Sequence, residues 1–173
     1  LADFYKKILY IDLEGRQMRV AKWSPHSRGS VVLNRDFDIE LPGMIHLRGA
    51  GWFDIVNVMA DERKVFFQPR RTRQEWYFGE SQSVNVVAKK FEVKNYLGGL
   101  DYEYIEAGRE LGISHFMLSF FESEDDLRDF YAAYYKIETT DERSAPHLVL
   151  KIESLKGMEF VTNISAENSG KYR

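Results

Sequence analysis

Two stretches of this chain follow one order of elements, and that repetition constrains the fold more than any single motif does. Residues 7–61 begin with the apolar run Lys7–Leu13, turn at Glu14-Gly15-Arg16, and return through Gln17–Trp23. A polar loop, Ser24–Gly29, leads to short strands at Val31–Leu33 and Phe37–Leu41, broken at Asn34-Arg35-Asp36. Trp52, Val56, Met59 and Ala60 then fall at helical spacing, which predicts a helix over Leu47–Asp61. Residues 90–138 repeat the order, with a Gly98-Gly99 hairpin turn and strands at Asp101–Glu106 and Ile113–Phe121. The helix at 124–137 has Ser123 as N-cap and a buried stripe of Leu127, Phe130, Tyr131 and Tyr134.

Between the units, Lys64–Gln68, Glu75–Gly79 and Ser83–Leu97 read as further strands. Leu148–Glu153 and Glu159–Ile164 suggest a hairpin about Lys156-Gly157. The expected fold class is therefore α+β, as two tandem units of a roughly four-stranded antiparallel sheet plus one helix. The expected domains are residues 1–62, residues 63–140, and a C-terminal hairpin and tail over 141–173.

The 173 residues suffice for one core or two small ones, and 44% hydrophobic content marks a globular chain. No apolar run approaches membrane-spanning length, so no membrane partner is expected. Cysteine is absent, which excludes disulfides, thiolate metal sites and a thiol nucleophile. The chain opens on Leu1, which reads as a processed or truncated start. The net charge of −3 conceals an asymmetry, because residues 1–73 carry 13 Lys/Arg against 9 Asp/Glu. The segment Arg63–Arg73 holds five bases and no acid; it fits either a phosphate track or a solvated connector.

No catalytic motif stands out: there is no phosphate loop, no nucleophile elbow and no dinucleotide fingerprint. The four histidines, His26, His46, His115 and His147, are scattered, and His46 and His115 read as structural. The acids Glu122, Glu124, Asp125 and Asp126 fit helix capping better than metal ligation. No cofactor, metal or catalytic residue is assigned. Aromatics and bases do alternate on strands. Met18, Val20 and Lys22 share one face, Arg19 and Trp23 the other, and Tyr102 and Tyr104 are placed together. Such a sheet can stack unpaired bases while cations hold phosphates.

The stretch Lys7–Ala21 (KILYIDLEGRQMRVA) and the helix start Glu124–Phe130 (EDDLRDF) resemble the PUR-repeat proteins. Relatives of that superfamily include the plant Whirly proteins and the kinetoplastid mitochondrial guide-RNA-binding proteins. The resemblance covers about two thirds of the chain. It departs at residues 64–87, which either insert β material between the units or supply strands of a longer second repeat as in Whirly-type domains, and at Leu100-Asp101, where the family's lysines are missing. It implies a single-stranded nucleic-acid-binding protein, RNA before DNA, that uses mainly phosphate contacts and possesses a capacity for RNA annealing. It also implies dimers or tetramers and a mitochondrial or nuclear setting. Carried onto this chain, the phosphate-binding set is Arg16, Arg19, Lys22, Arg28, Arg35, Arg70, Arg71, Arg73, Lys89, Lys90 and Lys94, with Trp23, Tyr102 and Tyr104 for stacking. The alternative is a protein-interaction subunit of a hetero-oligomer, its acidic second half facing a basic partner; an enzyme ranks third.

Overall fold

The computed structural model describes residues 6–22, 29–70, 79–135 and 145–164. The chain mixes helices and sheets as expected, but its two units are of different kinds. One comprises residues 17–95; the other is discontinuous, residues 1–16 with 96–173. The tandem division at 62/63 and 140/141 does not coincide with this one.

The inserted unit is a closed antiparallel barrel. Its strands are β2 (Met18–Lys22), β3 (Ser30–Leu33), β4 (Phe37–Leu47), β5 (Gly51–Met59), β6 (Lys64–Pro69) and β7 (Ser83–Val93). They run in the order β2-β3-β6-β5-β4-β7, and β7 closes on β2 through Met18 opposite Val84. Closure joins the two strands that would otherwise be the sheet's outer edges. Inward-facing residues fill the interior, as expected for so small a barrel. Val20, Leu33, Ile45, Leu47, Phe53 and Val65 are buried there, with the Phe53 and Phe67 rings 4.9 Å apart. Register shifts at Val20/Lys22, Glu40/Gly43 and Ile55/Asn57 bend the long strands.

The helix expected over Leu47–Asp61 is instead the end of β4, a tight turn, β5, and a 3₁₀ turn at Ala60–Glu62. Trp52, Val56 and Met59 fit a helical stripe, but Phe53 and Ile55, two apart, are the residues that enter the core. The two-residue period wins because β4 and β6 satisfy the backbone of β5 on both sides.

The discontinuous unit has a parallel sheet, β1 (Ile11–Leu13), β8 (His115–Leu118) and β9 (His147–Leu150), in the order β1-β8-β9. Helix α1 (Gly99–Glu110) follows the barrel, α2 (Glu124–Tyr135) joins β8 to β9, and α3 (Leu155–Asn163) follows β9. Leu13, Phe116, Leu118, Ile105, Phe130 and Tyr134 form its core.

Three further expectations are corrected here. Asp101–Glu106 is helix: Gly98-Gly99 is its start, not a hairpin turn, and buried Asp101 accepts the N–H of Gly98 at 2.8 Å. Glu159–Ile164 is not a strand but lies largely in α3, capped by Ser154. The turn at Glu14-Gly15-Arg16 exists, but β1 and β2 do not pair across it, because each joins a different sheet. The helix at 124–137 and its apolar stripe appear as α2, with Leu127, Phe130, Tyr131 and Tyr134 packed in the core. Phe53, Phe116, Phe121, Phe130 and Tyr134 are buried, whereas Trp52 and Tyr135 are exposed. No helix among the described residues is long and apolar enough to cross a membrane.

Candidate functional site

The site builds from three successive strand ends. In a parallel sheet the strands finish on one edge, where backbone groups and following loops leave room for ligands. Asp12 lies on β1, Ser119 follows β8, and Lys151 and Glu153 follow β9. On β1 and β8, Leu13, Phe116 and Leu118 enter the core, so strand alternation puts Asp12 and Ser119 on the opposite face.

The four side chains meet. The Lys151 ammonium donates to both Asp12 oxygens, at 3.1 and 3.0 Å, and to Ser119 Oγ at 2.9 Å. Ser119 in turn donates to Asp12 Oδ1 at 3.0 Å. Glu153 lies 3.8 Å from Lys151 Nζ and accepts the N–H of Phe120 at 3.1 Å. Ser119 is buried, Lys151 is largely covered, and the two carboxylates are more open on the rim. The formal charge of the cluster is one negative, from two carboxylates and one ammonium.

The backbone around Ser119 is tightly determined. Phe120 takes a left-handed φ of +51°, a conformation that costs a non-glycine residue of order 1 kcal/mol. Tyr96 donates its hydroxyl to the Ser119 carbonyl at 3.0 Å. Burial pushes the Tyr96 hydroxyl far above the usual tyrosine range, with Asp126 and Asp101 adding to the shift, so it stays a donor. Gly15, at φ +55°, brings its Cα so close that an added Cβ would lie 2.2 Å from the Ser119 carbonyl oxygen.

None of the residues expected to bind phosphates and bases belongs to this cluster, and those that are described fall in both units. Arg16 belongs to the parallel-sheet unit and is engaged there by Asp126 and Glu122. Tyr102 and Tyr104 sit exposed on α1, two apart on a helix, and so do not share a strand face. On the barrel, Arg19 donates to the Ser81 carbonyl and to Gln17, while Arg35 is buried and donates to the Asn95 carbonyl at 2.7 Å. Arg70 pairs with Asp54, Lys89 with Glu40 and Lys94 with Asp38. The Asp38 partner also raises the affinity of Lys94 for its proton. Lys22 and Lys90 are exposed. Trp23, Arg28, Arg71 and Arg73 lie outside the described residues.

Asp12, Ser119, Lys151 and Glu153 escaped the sequence reading. Their signal was present: in both IDL and HLVLKIE, polar groups sit at or just past the end of a short apolar run. Placing 159–164 on a hairpin with β9, and β1 on a hairpin with β2, hid the parallel sheet that gives this position meaning. No protein-family model and no curated protein matches the chain.

Proposed function

We propose that this chain binds a small anionic molecule, carrying a carboxylate or phosphate, at the carboxyl edge of the β1-β8-β9 sheet. The observation behind this is the Lys151 ammonium held on groups from three consecutive parallel strands. A lysine fixed in this way presents a point charge to an oxyanion and can stabilise negative charge or deliver a proton there. The cluster's net negative charge disfavours an anion alone. Asp12 and Glu153 provide the one or two carboxylates with which Mg²⁺ is commonly held jointly with a ligand's own oxygens. The ligand and a divalent cation are therefore expected to bind together.

The test is isothermal titration of the chain with inorganic phosphate and with small mono- and dicarboxylates, each with and without Mg²⁺. Binding that needs Mg²⁺ and disappears in Lys151→Met supports the proposal. Equal binding by Lys151→Met overturns it.

A second reading rests on charge. Residues 17–95 carry 13 Lys/Arg against 9 Asp/Glu, leaving 11 against 18 for the rest of the chain. Small barrels with a positive groove serve as platforms for single-stranded nucleic acid. The pairing of Arg70, Lys89 and Lys94 with barrel acids weakens this reading for those cations. Salt-dependent retention of a single-stranded RNA or DNA oligonucleotide, reduced in Lys22→Ala/Lys90→Ala, would favour it; no retention would remove it.

A further inference from the structure

At the opposite end of the same sheet, the amino ends of the strands bring two histidines together. His115 and His147 are direct register partners on the parallel pair β8-β9. Their imidazoles stack with centroids 4.6 Å apart and planes 13° from parallel. Tyr10 packs edge-on against His115 at 5.1 Å. The neighbours Phe116 and Leu148 pack in the core, so both histidines occupy the face turned away from it. His147 is exposed and His115 half-buried, so stacking alone removes little of the pair from water.

The geometry points to a two-histidine site for a divalent late transition-metal ion, of the Zn²⁺, Ni²⁺ or Cu²⁺ class. Neutral imidazole is the side chain these ions prefer, whereas Mg²⁺ and Ca²⁺ take oxygen ligands. Ser114 Oγ lies 3.4 Å from His115 Nδ1. With Nδ1–H donating to that oxygen, the Nε2 lone pair of His115 points outward for a metal, the usual role of a partner behind a metal-bound histidine. Zinc–nitrogen bonds of about 2.0–2.1 Å put two nitrogens on one tetrahedral ion roughly 3.3 Å apart. The stacked rings reach that separation by tilting about their own side-chain bonds, while paired strands hold the backbones. No group of three or more His, Asp or Glu side chains gathers among the described residues. Water therefore completes the coordination, and the ion is exchangeable. Its effect is to clip β9 to β8.

The test uses the full chain without an affinity tag, titrated at pH 7.5 with CuCl₂, NiCl₂ and ZnCl₂ in separate runs. One equivalent should bind, with Cu²⁺ tightest. At a hundredfold excess over Kd, Tm should rise by roughly 7 °C. His147→Gln, which alters an exposed ring, should abolish binding; His46→Gln in the barrel should leave it unchanged. Absence of binding up to millimolar metal overturns the inference, and so does one-equivalent binding that survives His147→Gln.

Discussion

Arg16 and Asp126, 110 residues apart in sequence, grip one another through two parallel hydrogen bonds of 2.7 and 2.6 Å. The Asp126 carboxylate is 1% exposed and also accepts the backbone N–H groups of Glu122 and Ser123, at 2.7 and 3.2 Å. One buried acid thus satisfies the start of α2 and fastens it to the segment leaving β1. Burial alone would loosen the Arg16 proton, yet Asp126 and Glu122 reverse that and leave it held more tightly than usual. The guanidinium also lies 5.0 Å from the Tyr96 ring centroid.

Asp126→Ala should therefore destabilise the chain by about 3–5 kcal/mol, since it strips a half-buried cation of its main partner and leaves two N–H donors unmet. Urea denaturation followed by far-ultraviolet circular dichroism measures it. Glu122→Ala, which removes the longer 3.6 Å contact, should cost under about 1 kcal/mol.

Gly15→Ala should be among the most damaging single-methyl changes. It forces φ +55° on a side-chain-bearing residue and drives the methyl into the Ser119 carbonyl and the Tyr96 ring. A loss of about 3 kcal/mol or more is expected, and anion binding at Lys151 should weaken with it. Gly99→Ala, at the start of α1 with nothing within 4 Å, should gain a few tenths of a kcal/mol.

Tyr96 gives the fold an alkaline limit. Its hydroxyl ionises at a higher pH in the folded chain than in the unfolded one. The stabilisation is therefore fully present below the unfolded value, near pH 10, and is lost as pH rises beyond it. Each pH unit above about 10 should cost up to roughly 1.4 kcal/mol from this group. Tyr96→Phe should lower stability at pH 7, through loss of the bond to Ser119, and flatten the decline above pH 10. An unchanged slope in the variant would assign the decline to other groups.

Residues 17–95 expressed alone should fold, because the six strands and their core lie wholly within that stretch. Cooperative thermal unfolding of the fragment checks this. Phe53→Ala, which empties the centre of that core, should cost about 3–5 kcal/mol in the fragment.

The legible and illegible parts of the fold divide along a physical line. Helix α2 could be read because its N-terminal acids, Ser123 and its stripe from Leu127 to Tyr134 all agree, and local signals decide a helix. Strands β2, β3, β6 and β7 could be read from alternation, although their barrel closure could not. Trp52, Val56 and Met59 imitated a helix because they are the outward and rim positions of a bulged strand. Tyr102 and Tyr104 imitated a strand, although Ile105 and Gly108 are the positions α1 buries. The Lys151 cluster was unreadable for another reason: it draws on residues more than 100 positions apart, and no local period records that.

The way the barrel interrupts its host has a kinetic consequence. Strand β1 must find β8 across the whole insert, and β8 can complete neither its core nor the Lys151 cluster without it. Closing a loop of on the order of 100 unstructured residues rather than about 20 costs roughly 1.4 kcal/mol more in chain entropy. A barrel that forms first shortens that span, since the turn between β3 and β4 meets both ends of the insert, Asn34 N–H donating to the Arg19 carbonyl and Lys94 N–H to the Asp36 carbonyl. Formation of the parallel sheet is thereby tied to prior folding of a unit that contributes no residue to it. Substitutions deep in the barrel, such as Phe53→Ala, should then slow the assembly of a site whose every side chain lies outside it.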